Sequence, residues 1–252
     1  MLFSGKILKQ GDAGVEIEEL QIRLAGFGGT IWSGNFGPNT KKQVMQFQKD
    51  YIGDGVPSGV VDLKTLRNII TFTEEFNIDF NKLKCPCGKC NGFGLGKYKN
   101  VYIPSKPKIE AYYMYEYPGI HKAILYAYKA CMFYAKKYGF PLPVINCGYR
   151  CSANNIQNKR SSTNHCGKAI DIDLPMVKKT EKDNQIDTDR CNTFRTKMIE
   201  FGNFQIGWSN SNQKSLEPEN IAPTWIHMDI RNYESKYLLD RFFVKSNDEL
   251  NK

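Results

Sequence analysis

Two short segments constrain this chain more than anything else in it. Asn164-His165-Cys166-Gly167-Lys168-Ala169-Ile170-Asp171 and Trp225-Ile226-His227-Met228-Asp229 hold two of its three histidines beside alternating aspartates. In a strand, residues two apart share a face. Asp171 and Asp173 therefore point together, as do Trp225, His227 and Asp229, while Ile226 and Met228 face the opposite layer. If the two strands are neighbours, His165, Asp171 and His227 converge. Gly167 and Ala169 leave room for backbone to pass close to the centre. Two imidazoles and a carboxylate form the ligand set of an open zinc site, with a fourth position left for water.

The surrounding pattern predicts an α+β chain in two parts. Residues 5–72 read as three short helices. Ile17, Leu20 and Leu24 recur at helical spacing, as do Val44, Phe47 and Tyr51. A third helix over Leu63 to Ile70 has Asp62 as its N-cap and buries Leu66, Ile69 and Ile70. So small a unit buries little surface alone. Residues 73–100 form an irregular junction whose Phe76 and Phe80 pack on the second part. In residues 101–245, a helix is expected over 119–138, stopped by Gly139 and Pro141. A strand over Val144–Asn146, a helix capped by Ser152, a strand at Ile170–Leu174, a helix near 189–201 and a strand at Trp225–Ile230 follow. Helices beside a small, mainly antiparallel sheet make this part α+β. His121 is read as structural, and Tyr112, Tyr113, Tyr115 and Tyr117 as packing.

The net charge of +9 favours polyanionic partners: nucleic acid, an anionic membrane surface or teichoic-acid-bearing cell wall. The lysines are scattered rather than gathered into a nucleic-acid-binding arm. No opening stretch has the apolar core of a signal peptide, and none approaches membrane-spanning length, so synthesis in the cytoplasm and release by another route are expected. Cys85-Pro86-Cys87-Gly88-Lys89-Cys90 is a tight cluster, whereas Cys131, Cys147, Cys151, Cys166 and Cys191 are dispersed. The cluster has three readings: the start of a structural zinc site needing a fourth ligand, a disulfide staple, or free thiols.

The N-terminal run Leu8-Lys9-Gln10-Gly11-Asp12-Ala13-Gly14-Val15, followed by Leu20-Gln21-Ile22-Arg23-Leu24, Gly34-Asn35-Phe36-Gly37-Pro38-Asn39-Thr40, Val44-Met45-Gln46-Phe47-Gln48 and Gly59-Val60-Val61-Asp62-Leu63, resembles the three-helix peptidoglycan-binding domain of cell-wall hydrolases. The resemblance implies a module that holds an enzyme on the wall and so raises its local substrate concentration. The second part resembles the zinc peptidases of the D-Ala-D-Ala carboxypeptidase and L-alanyl-D-glutamate endopeptidase superfamily, whose signature is Ser-x-His-x-x-Gly-x-Ala-x-Asp. Gly167, Ala169 and Asp171 match its second half, and Gly148-Tyr149-Arg150 matches the segment carrying the family's arginine.

That resemblance implies that His165, Asp171 and His227 bind Zn2+, with Arg150 on the substrate carboxylate or the oxyanion. Asp173 is a second choice if the register slips. Two positions depart from the pattern. The family histidine aligns with Asn164, one residue before His165, and the usual acidic base aligns with Thr224. Asp229 is then the base or the partner that orients His227, with Glu217 and Glu219 as further candidates for the base. The resulting expectation is a monomeric peptidoglycan hydrolase of phage or prophage endolysin type that cuts stem peptides. Its rivals are a non-catalytic wall-binding protein and, more remotely, a basic nucleic-acid binder.

Overall fold

The computed structural model describes residues 3–29, 31–96, 115–160, 162, 164–175, 181–209 and 212–252. Tyr112 and Tyr113 lie outside them.

The N-terminal unit holds three helices, α1 (Val15–Arg23), α2 (Pro38–Phe47) and α3 (Leu63–Glu75). Glu16 and Glu18 at the start of α1 and Arg23 at its end complement the helix dipole. Pro38 opens α2, where its missing N–H costs nothing. Past Phe47 the chain widens into one π turn over Gln48–Ile52, stopped by Gly53 at φ 79°. Asp62 caps α3 by accepting from Thr65 N at 2.7 Å. The buried stripe of α3 is Leu66, Ile69 and Phe72, and Ile70, expected inside, is 36 % exposed. The correction follows from the helix running on to Glu75: Phe72, not Ile70, continues the inward row.

The remainder is an α+β unit. Its elements are α4 (Phe80–Leu83), β1 (Ile120–His121), α5 (Lys122–Tyr138), β2 (Val144–Cys147), α6 (Ser152–Gln157), β3 (Ala169–Asp173), α7 (Glu181–Gly202), β4 (Gln205–Ile206), β5 (Ser215–Leu216), β6 (Ile226–Asp229), β7 (Phe243–Val244) and α8 (Asn247–Asn251). One sheet runs β2-β3-β6-β5-β4, antiparallel except for β4–β5, and β1 pairs with β7 in a second. Three helix starts differ from expectation. The long helix starts at Lys122, because His121 is its N-cap and accepts from Ala123 N at 3.2 Å. Cys151 rather than Ser152 caps α6, its sulfur accepting from Asn154 N. Helix α7 begins at Glu181, well before 189.

The two parts share one apolar core. Phe27 meets Phe47 and Phe72 edge-on within its own unit, and Phe133 and Tyr134 of α5 at 5.8 and 5.6 Å. Gly26 lies so close to α5 that a Cβ there would stand 2.2 Å from that of Ala130. The buried Lys214 ammonium donates to Ala25 O and Gly29 O of the N-terminal unit and to Gly202 O at the end of α7, at 3.1, 2.9 and 2.8 Å. Phe76 and Phe80 of the junction are buried, and Phe76 packs on Phe133. Tyr117 stacks on Phe243 at 4.1 Å, a packing role.

Candidate metal centre

Strand pairing places four side chains in one row across the sheet. Cys147 of β2 lies opposite Asp171 of β3, and Asp171 lies opposite His227 of β6. Glu217, just past β5, continues the row and donates its backbone N–H to His227 O. The loop before β3 brings in His165, which is fully buried. His227 Nδ1 is 2.6 Å and His165 Nε2 3.3 Å from the same oxygen, Asp171 Oδ1.

The outer nitrogens of both imidazoles are spoken for. His165 Nδ1 meets Gly148 O at 2.7 Å, and a carbonyl can only accept, so Nδ1 carries the proton. His227 Nε2 meets Asp229 Oδ2 at 2.9 Å and donates to it. His165 Nε2 is then a lone pair aimed at a carboxylate oxygen, whereas His227, with Nδ1 on Asp171 and Nε2 on Asp229, serves both carboxylates as an imidazolium when no cation is bound. His165 Nε2 lacks the alignment of a hydrogen bond and has no other partner. The donor atoms that all lie within 4.8 Å of one another are those of Cys147, His165 and Asp171, and with His227 on the same Asp171 oxygen they are of the kinds zinc takes. The electrostatics carry the same conflict. Burial would raise Asp171, but the two histidines outweigh it and hold its carboxyl well below the usual range. Burial would lower His227, but Asp171 and Asp229 push it up to about 9. At His165 burial prevails and its pKa falls.

Around this centre the remaining candidates separate. Asp229 is fully buried and accepts from Arg231 Nε at 2.6 Å, from Arg231 N at 3.1 Å and from His227. Its oxygens are so engaged that it sits as a carboxylate orienting an imidazole would. The Asn164 amide lies against Arg231, and with its oxygen and nitrogen exchanged the oxygen accepts from Nη2 at 2.9 Å and Nε at 3.0 Å. Asp173 accepts from Asn146 Nδ2 at the strand end, away from the histidines. Arg150 donates its backbone N–H to His165 O, and its side-chain Nε is buried without a partner. Thr224 lies in the turn before β6. Glu217 stands 3.8 Å from Arg231 Nη2.

Sequence reasoning missed two members. Arg231, which clamps Asp229, follows Asp229 by two residues, and its charge was the only signal. Cys147 offers its sulfur within 4.8 Å of the donor atoms of His165 and Asp171. Its place depends on the β2–β3 register, with a bulge between Ile145 and Cys147, which periodicity does not reveal.

A second cluster gathers Cys85, Cys87 and Cys90 of the junction with Cys151 at the start of α6, all four sulfurs within 4.8 Å of one another. None of the eight cysteines is in a disulfide.

No curated protein matches the chain. Residues 13–69 match the sequence model of the peptidoglycan binding domain family, a stretch that lies inside the three-helix unit. The chain therefore carries an N-terminal peptidoglycan-binding domain, joined through a common core to an α+β unit with a candidate metal centre.

Proposed function

We propose that the protein is a peptidoglycan hydrolase, a zinc peptidase that cuts the stem peptides of the bacterial wall, of D-Ala-D-Ala carboxypeptidase or endopeptidase type. An endolysin of a phage or prophage, made in the cytoplasm and acting at the wall after release, fits this chemistry. The observation that carries the reading is the convergence of His165 Nε2 and His227 Nδ1 on Asp171 Oδ1. Peptidoglycan as partner rests on the N-terminal domain.

His165, Asp171 and His227 would hold the zinc, which would supply Lewis acidity at the scissile carbonyl and a water of lowered pKa. The chain's own residues do the rest. Gly148 O fixes the tautomer of His165, and Asp229, braced by Arg231, fixes that of His227. Glu217, beside His227 on the adjoining strand, takes a proton from the attacking water and passes it to the leaving amine. Arg150 meets the substrate carboxylate or the charge that grows on the carbonyl oxygen, a task suited to its unpartnered Nε.

The test is lysis of purified Gram-positive sacculi by wild type and His227→Ala, with and without chelator, followed by mass spectrometry of the products. Release that needs both metal and His227 is expected. Free D-alanine identifies a carboxypeptidase, whereas cleaved cross-links or new L-alanyl termini identify an endopeptidase. Binding to sacculi with no release by either protein sinks the enzymatic reading and leaves a wall-binding protein, which the engaged state of Asp229 and the Thr224 departure favour.

A further inference from the structure

We propose that Cys85, Cys87, Cys90 and Cys151 hold a structural zinc ion, separate from the His165–Asp171–His227 centre, that fastens the junction to the loop carrying Arg150. The proposal is independent of peptidase activity.

Geometry distinguishes the three readings of this cluster. A disulfide joins two sulfurs at about 2.05 Å. Here Cys87 Sγ stands 3.5 Å from Cys90 Sγ and 3.6 Å from Cys151 Sγ. Four thiolates about 2.3 Å from a central zinc lie about 3.8 Å apart along the edges of a tetrahedron. The separations observed are near that edge and far from a bond. Free thiols would not need to gather from two distant stretches of chain. The other cysteines show what an ordinary buried thiol does here: Cys131 packs against the sulfurs of Met198 and Met228 in the core.

The backbone around the cluster is built for thiolates. Cys87-Gly88-Lys89-Cys90 supplies two ligands in one tight turn, with Gly88 at φ 65°, a conformation that suits glycine. Lys89 N donates to Cys87 Sγ at 3.3 Å, Cys151 N to Cys85 Sγ at 3.4 Å, and Asn154 N to Cys151 Sγ at 3.4 Å. These N–H groups offset the negative charge of four sulfurs around a divalent ion. Cys85 N donates to Gly92 O and closes the loop. On binding, the thiols release their protons to solvent, and no oxidant or reductant is involved.

The fourth ligand gives the site its consequence. Cys151 directly follows Arg150, and the same loop supplies Gly148 O, the acceptor of His165 Nδ1. Leu83 O accepts from Tyr149 N at 2.7 Å, so junction and loop already meet there. An ion on Cys151 would hold Arg150 and Gly148 in position without touching substrate.

The test uses the full-length chain loaded with cobalt or zinc. Wild type and His227→Ala are both expected to show the intense near-ultraviolet thiolate-to-cobalt band, with His227→Ala losing one metal equivalent of two. Cys87→Ser/Cys90→Ser should lose the band and one equivalent, and unfold at a lower temperature. If that variant fails to fold, the cobalt spectrum of His227→Ala/Cys147→Ser, which lacks the thiol beside the other centre, still decides. Absence of the band there, or a disulfide among these four cysteines in unreduced wild-type protein, would overturn the proposal. A single equivalent in wild type, with the band and no lysis, would uphold it while removing the peptidase reading.

Discussion

His121 and His227 are the same side chain set to opposite tasks by the atoms around them. His121 Nε2 donates to Tyr237 O at 3.0 Å, so its Nδ1 stays unprotonated and can accept from Ala123 N. Burial pushes its pKa down to about 3 from 6.5. Because the folded value lies below the unfolded one, the unfolded chain alone takes up this proton as pH falls through 6.5 towards 3. Stability is then full above that window and declines within it by up to about 1.4 kcal/mol per pH unit. The melting temperature should drop between neutrality and about pH 5, and His121→Asn, a cap that does not titrate, should flatten that slope. A parallel decline in both proteins would show that His121 is not its source. Glu217 makes the second residue-level prediction. Glu217→Gln should lower the turnover of wall peptides by roughly 10²–10⁴-fold, the range for a lost general base, with metal content unchanged. Turnover near that of wild type would leave the base elsewhere. The sequence offers Glu217 and Glu219 alike as bases, and only the fold separates them. Asp171 and His227 were legible as candidates because period-2 alternation sets each on one face of its own strand, and the β3–β6 register brings those faces together. Glu217 joins them only through the β5–β6 pairing, and β5 has two residues, too few to show any period.

At the scale of elements, the strongly periodic stretches were legible and their ends were not. Asp62 announces α3 because a carboxylate before an apolar helix satisfies an orphan N–H. Helix α3 stops at Phe76, which packs on Phe72 and on Phe133 of α5, a helix that lies far along the chain. The polar helix α7 is a similar case, and its last turn depends on a buried cation from another element. Lys214 donates to Gly202 O there while also holding Ala25 O and Gly29 O. Its charge reads as a solvated surface lysine in sequence, yet it is buried. Lys214→Met keeps most of the apolar stem but leaves three carbonyls without this donor, at a cost of roughly 2–4 kcal/mol. Urea titration should show a lower midpoint with little change in slope. An unchanged midpoint would mean water replaces the ammonium without loss.

For the whole molecule, the sequence suggests a wall anchor tethered to an enzyme, and the packing changes what tethering means. Phe27 reaches Phe133 and Tyr134, and Lys122 of α5 comes within 3.8 Å of Glu19 of α1, so the N-terminal domain is docked on the second unit. Docking answers the small domain's shortage of core, since its apolar face is completed by α5. It also fixes the direction in which the candidate centre faces a bound glycan, which a flexible linker would not. The contact has a sharp test at Gly26. Its backbone is not left-handed, so the cost of a side chain there is steric: a Cβ would stand 2.2 Å from Ala130 Cβ. Gly26→Ala should destabilise by about 1–3 kcal/mol through overpacking. Ala130→Gly alone should cost about 1 kcal/mol in helix propensity. The double variant removes the clash and should be clearly more stable than the sum of the two changes predicts, a coupling visible in thermal unfolding. Strict additivity, with Gly26→Ala close to wild type, would mean the two units are not packed face to face in solution, and the wall-binding domain would then act as a free tether.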